Sequence, residues 1–220
     1  MNLSYYIVNA FTDQPFAGNP AAVMPLDLWL PDHQLQALAA QHNLSETAFF
    51  VPVAESAFEL RWFTPVEEVP LCGHATLATA HVLLRERQVS ADALTFQTRY
   101  RGLLHAQSQG DRLALDLPAV EYEPHEVEAR LEAALGARVL SAVRPCDEPW
   151  QVLYELESEA SVRALKPNIA ALAAVAEHCV ILAYQSSARG GTLWCERKDD
   201  RIILSGHAMT FARGQVVAAL

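Results

Sequence analysis

Asn43-Leu44-Ser45-Glu46-Thr47-Ala48-Phe49-Phe50 sets one carboxylate between two segments of opposite character. Upstream, Pro31 to His42 carries Leu35, Leu38 and Ala39 at helical spacing, and Asn43 is a suitable stop. Downstream, Ala48 to Val51 reads as a buried strand. Glu46 therefore falls at an element edge, partly out of water. Partial burial raises a carboxyl pKa toward neutrality, where such a group both takes and returns a proton. An isolated Ser-Glu-Thr is more often a surface glutamate at a strand start, so the neighbouring segments decide the reading.

Phe63-Thr64-Pro65-Val66-Glu67-Glu68-Val69-Pro70-Leu71-Cys72-Gly73-His74-Ala75-Thr76-Leu77-Ala78 reads as a strand, a turn and the Gly-His opening of a helix running to about Arg87. Such an opening attracts anions, because the first N–H groups of a helix lack partners and its dipole is positive there. Gly73 adds room for a ligand to approach the backbone. A third segment, Phe11-Thr12-Asp13-Gln14-Pro15-Phe16-Ala17-Gly18-Asn19-Pro20, precedes both. Taken in order and spacing, Gly-Asn-Pro, Ser-Glu-Thr, Phe-Thr-Pro and Cys-Gly-His-Ala-Thr resemble the phenazine-biosynthesis PhzF-like family of isomerases, over residues 1 to about 117.

That resemblance implies an α/β fold of two lobes like that of diaminopimelate epimerase, and a cytoplasmic, cofactor-free enzyme that moves a proton between carbons of a small carboxylated substrate. It implies that Glu46 is the general acid and base and that His74 and Gly73 lie in the substrate cleft, with Asn19 beside them. Ser187-Ala188-Arg189-Gly190-Gly191 is similar to a small-residue turn of the family, in which Arg189 and Gly190 are candidates for binding a carboxylate. A plain glycine-rich hairpin with an exposed arginine fits the same residues equally well.

Composition agrees with a soluble enzyme. The chain has 220 residues, 51% of them apolar, enough for one sizeable core or two small ones. Lys and Arg number 16 against 26 acidic residues, a formal charge of −10, which argues against nucleic acid or an anionic membrane as partner. Leu3 to Val8 is already strand-like, without a charged-then-apolar leader, and no apolar run reaches the length of a membrane span. Cys72, Cys146, Cys179 and Cys195 form no C-x-x-C pair, so disulfide frameworks and metal sites are poor readings. Cys72 differs from the others because a helix start lowers a thiol pKa, which makes it a candidate accessory thiol beside the site. A buried inert thiol is the commoner case.

Beyond residue 90, Leu94 to Thr98, Gly102 to Ser108 and Arg112 to Leu117 read as a meander with a hairpin turn at Gly110-Asp111. Residues 118 to 126 read as the crossing to a second lobe, 118 to 220, whose last strand is free to return to the first. Helices are expected over Glu126 to Leu135, stopped by Gly136, over Glu159 to Leu165 and over Asn168 to Glu177. Strands are expected near Val139 to Val143, Gln151 to Glu155, Val180 to Tyr184, Gly191 to Arg197 and from Arg201 onward. Between Ile181 and Leu182 the family carries several dozen further residues, including an Asp-Pro-Val-Thr-Gly-Ser-Ala-like motif that opens the second lobe's central helix. The second lobe is thus expected to be shortened and to lack that helix, leaving Val180 to Tyr184 and Ile202 to Leu204 to be covered by a second copy in a homodimer. Loss of that wall leaves two readings, an isomerase and a catalytically impaired dimeric binding or scaffold protein.

Overall fold

Alternation of apolar side chains, rather than any single motif, lays out the larger of two units in this computed structural model, which describes residues 3–146, 152–175 and 189–217. In chain order the strands are β1 (Leu3–Ala10), β2 (Asn19–Pro25), β3 (Glu46–Ala54), β4 (Ala57–Phe63), β5 (Glu68–Val69), β6 (Ala93–Thr98) and β7 (Leu103–Gln109). They continue with β8 (Arg112–Pro118), β9 (Tyr122–Pro124), β10 (Ser141–Pro145), β11 (Leu153–Glu155), β12 (Leu193–Lys198), β13 (Arg201–Gly206) and β14 (Ala208–Val216). The α-helices are α1 (Asp32–His42), α2 (Gly73–His81), α3 (Ala129–Leu135), α4 (Glu159–Arg163) and α5 (Ile169–Val175). Contacts divide the chain into Met1–Ala119 with Arg189–Leu220, and Val120–Ala188.

The first unit is one sheet in the order β12-β13-β8-β7-β6-β4-β3-β2-β1-β14, with β5 paired to β4. Neighbours run antiparallel except β2 with β3 and β4 with β6. Parallel neighbours need a crossover, and α1 and α2 supply the two. On one face Val8, Ala21, Val23, Ala48, Phe50, Phe58, Leu60 and Trp62 bury against α2. On the other, Leu3, Met24, Phe49, Val51 and Phe63 bury with Leu35, Leu38 and Ala39 of α1. Helix α2 touches β1, β2, β3 and β14 from one half of the sheet and β7 and β8 from the other, so the sheet curls around it.

Being enclosed on every side decides the composition of α2. Ala75 to Ala80 are all buried. Only small or apolar side chains fit there, and the two hydroxyls are satisfied within the helix: Thr76 Oγ1 donates to the Cys72 carbonyl at 2.6 Å and Thr79 Oγ1 to the Ala75 carbonyl at 2.8 Å. The α-helix expected to reach Arg87 ends at His81 and continues as a π-helical turn, Val82–Glu86, closed by the Arg87 N–H on the Val82 carbonyl at 2.8 Å.

The boundary between units differs from the sequence reading. That reading gave 118–220 to the second lobe and let only the last strand return; β12, β13 and β14 all belong to the first unit. β14 pairs along the whole of β1, and β13 pairs with β8 from Arg201 opposite Pro118 to Gly206 opposite Leu113. Ile202 to Leu204 pair with β12 on one edge and β8 on the other and stay partly exposed, with Leu204 packed on the core.

The second unit joins β11, β10 and β9 in one small sheet and packs it around Leu131, Leu135, Val139, Ala142, Val152 and Tyr154. Residues 122–124, read as plain crossing, are its edge strand β9, and the helix expected from Glu126 begins only at Ala129. Gly136 caps α3 in the left-handed conformation, φ 71°. Its described helices run five to seven residues, with no long one among them. Val180 to Tyr184 and the junction at residues 181–182 lie outside the described residues.

Candidate active site

Two local stops place the carboxylate. Helix α1 ends at Asn43, whose left-handed backbone (φ 52°, ψ 35°) returns its N–H to the Ala39 carbonyl. Three residues later β3 begins with Glu46, opposite Ala21 of β2. Strand alternation then puts Glu46 on the same face as Ala48 and Phe50, the face that α2 covers.

The second stop is Cys72, the extended N-cap of α2 (φ −145°), whose side chain makes no capping bond. The leading N–H groups of α2 therefore have neither an intrahelical acceptor nor a side-chain cap. Gly73 begins the helix where Leu204 packs; a Cβ there would lie 3.4 Å from Leu204 Cδ2. His74, one residue on, bridges the two stops: its Nδ1 is 3.5 Å from Cys72 Sγ and its Nε2 is 3.2 Å from Glu46 Oε2.

Both side chains are mostly withdrawn from water, His74 at 15% exposure and Glu46 at 19%. The 3.2 Å contact has the distance of an ion pair but not the alignment of a hydrogen bond, for His74 Nε2 and Glu46 Oε2 are both buried without a hydrogen-bond partner. Burial pushes the His74 ring toward its neutral form. The Cys72 sulfur and the Glu46 carboxylate beside it outweigh burial and hold its pKa up, at about 10. The site therefore pairs an imidazolium with a carboxylate at the positive end of a helix. It offers a proton acceptor, a hydrogen-bond donor and an anion-attracting backbone within one small space.

Asn19, Arg189 and Gly190 gather at a second point, the corner where the loop after β1 enters β2. Asn19 begins β2 opposite Ala10, two residues beyond the pair of Ala21 with Glu46. Arg189 donates from Nε to the Gly18 carbonyl and from Nη2 to the Ala17 carbonyl, each at 3.0 Å. Gly190 takes φ +63°, and Thr192 N–H reaches the Phe11 carbonyl at 2.8 Å. The guanidinium thus ties the β12 side of the unit to this loop.

Trp62 escaped the sequence reading. It pairs with Ala48 across β3 and β4, so on the α2-facing side it is the diagonal neighbour of Glu46. Its indole Nε1 is buried with no hydrogen-bond partner, which is unusual for so strong a donor. The alternation Phe58, Leu60, Trp62 was the available signal. Among the described residues, Glu46, Cys72 and His74 are also a group whose ligand atoms lie within 4.8 Å of one another, close enough to share a metal ion.

A family profile described as phenazine biosynthesis-like protein matches residues 8–200. A Pseudomonas aeruginosa protein named as an uncharacterized isomerase is 38% identical over 265 aligned positions, covering 98% of this chain and 99% of its own. Among solved structures, a PhzF family protein of Enterococcus faecalis is 32% identical with a TM-score of 0.85, over 99% of this chain and 100% of that one. A P. aeruginosa protein described as a predicted epimerase, 18% identical, shares the fold with a TM-score of 0.71 over 98% and 99% of the two chains.

Proposed function

Because the chain belongs to the phenazine biosynthesis-like family, we propose that it is an isomerase needing no cofactor, which moves a proton between carbons of a small carboxylated substrate. The observation that carries this reading is the Glu46–His74 pair, 3.2 Å apart at the start of α2. In it Glu46 removes a proton from carbon, the electron pair spreads into the substrate's unsaturated carboxylate system, and Glu46 returns the proton to a second carbon. His74 donates to the substrate from its protonated ring while Gly73 and the adjoining N–H groups receive the negative charge. One base returns its proton on the face from which it came. Such a site suits a double-bond shift better than inversion, which requires a second proton carrier on the opposite face.

Cys72 has a supporting part in this reading, holding the His74 ring from its other nitrogen. Asn19, Arg189 and Gly190 shape the corner at the same end of the sheet. Support for a homodimer comes from β12, an edge strand with all six residues exposed. The described helices include none long and apolar enough to cross a membrane.

The test is solvent deuterium exchange into a small unsaturated carboxylate such as dihydro-hydroxyanthranilate, followed by NMR. The unmodified protein is expected to catalyse exchange, and Glu46→Gln to slow it by about a hundredfold or more, since a positioned acid/base group contributes roughly 10²–10⁴. Equal exchange by the two proteins would remove Glu46 from the mechanism.

A further inference from the structure

Three features of the Glu46, Cys72 and His74 cluster bear on metal binding as well as on proton transfer. Glu46 Oε2 and His74 Nε2 are buried, 3.2 Å apart and poorly aligned for sharing a hydrogen. The Cys72 sulfur stands against the same ring, at 3.5 Å from Nδ1. A ligand atom from each of the three residues lies within 4.8 Å of the other two.

We propose that these three side chains form a binding site for a thiophilic divalent metal, zinc by preference, and that the bound ion shuts the proton-transfer site. Tetrahedral zinc holds histidine nitrogen and carboxylate oxygen at about 2.0–2.2 Å, which sets those two ligand atoms about 3.3 Å apart. The Glu46–His74 spacing of 3.2 Å already meets that edge. One ion uses one ring nitrogen, so the ion takes Nε2 and the Cys72 thiolate closes the third position. With zinc–sulfur at about 2.3 Å, the nitrogen–sulfur edge is about 3.6 Å, so the Cys72 sulfur, which stands 3.5 Å from Nδ1, turns about its side-chain torsion toward the ion on Nε2.

Donor chemistry selects the ion. Magnesium and calcium want oxygen shells, whereas a set of one sulfur, one nitrogen and one oxygen suits zinc or cobalt(II). Three protein ligands leave a fourth position for water or a substrate carboxylate. An ion held there occupies the Glu46 oxygen that would accept the proton, so the metal acts as an inhibitor. The site uses the same residues as the proposed isomerase but does not depend on that activity.

The experiment is a cobalt(II) titration of the full chain, free of any histidine tag and stripped of metal. One equivalent is expected to bind with a near-ultraviolet thiolate-to-cobalt band and the intense visible absorption of four-coordinate cobalt, and zinc is expected to displace it. Cys72→Ser should abolish the near-ultraviolet band, and Glu46→Gln and His74→Asn should each weaken binding by at least about tenfold. Cys146→Ser and Cys195→Ser, at exposed thiols, should change neither. No thiolate band in the unmodified protein, or a band that survives Cys72→Ser or vanishes in Cys195→Ser, overturns the proposal. Should Cys72→Ser fail to fold, the spectrum of the unmodified chain and the Glu46→Gln affinity still decide it. Deuterium exchange by chelator-treated protein is read separately, so loss of the metal site and loss of the isomerase give different results.

Discussion

Gly18 shows how narrowly a single residue is constrained at the corner beside the site. Its φ is +68°, and a Cβ built on it would lie 2.3 Å from the Ala10 carbonyl and 2.5 Å from Thr12 Cγ2. Neither the left-handed backbone nor the nearby carbonyl yields easily, so Gly18→Ala is expected to cost roughly 3 kcal/mol or more, read from urea unfolding. The histidines give a second prediction. Burial holds His42 and His81 below their ordinary value of 6.5, so both favour the neutral form in the fold. Their contribution is complete above 6.5 and declines as pH falls below it, because the unfolded chain then binds protons that the fold does not. His74 works in the opposite sense: its stabilisation is complete below 6.5 and is lost as pH rises toward about 10. Stability should therefore peak near neutrality, and His74→Asn should flatten the alkaline side of the urea-midpoint profile while leaving the acid side. The positions of Glu46 and His74 at element ends were legible in the sequence through Asn43 and Gly73, whereas their place in one site was implied by the family resemblance. The acceptors of Arg189 were not, since a sequence shows the guanidinium but not the carbonyls of Ala17 and Gly18 that the fold brings to it.

At the scale of elements, α2 is the piece on which the curled sheet depends. Leu77 is fully buried among residues from both halves of the sheet. Leu77→Ala is expected to cost roughly 2–5 kcal/mol, because the strands around the helix cannot close on the cavity without unpairing. Thr79→Val tests the other half of the packing account. The Thr79 hydroxyl only adds a second donor to a helix carbonyl, so exchanging it for a methyl of similar volume should change stability by less than about 1 kcal/mol. Chemical denaturation of the two variants separates a volume requirement from a polar one. The existence of α2 was readable from Gly73 and the run of small residues after it. Its π-helical end was not, because an extra residue in one turn leaves the apolar spacing of Val82 and Leu83 almost unchanged. What holds that end is tertiary: His81 Nε2 lies 3.1 Å from Thr210 Oγ1, which donates to Glu86 at 2.6 Å, while Arg213 pairs with the same carboxylate.

For the whole molecule, the least legible feature was the return of three strands from the chain's end to its beginning. β12 and β13 alternate no differently from strands of a second lobe, and only their partners, β8 for β13 and β1 for β14, reveal where they belong. Among the described residues, the path of the larger sheet ends at β12 and β14. β12 is the more open, with Leu193 at 45% and Trp194 at 43% exposure and the Arg112 guanidinium 4.5 Å from the centre of the Trp194 ring. An exposed edge strand presents unpaired backbone donors and acceptors, and a second copy satisfies them when two such edges run antiparallel. In that arrangement the twofold axis stands normal to the sheet, so the face of β12 that carries Trp194 meets the same face of the second copy and brings the indole to the seam. Sedimentation at micromolar concentration is expected to show a dimer. Trp194→Lys removes the indole and places a charge on the edge, a substitution that discourages edge-to-edge pairing, so it should shift the protein to monomer. A monomer for the unmodified protein, or a dimer indifferent to Trp194→Lys, would mean that this edge is not the seam.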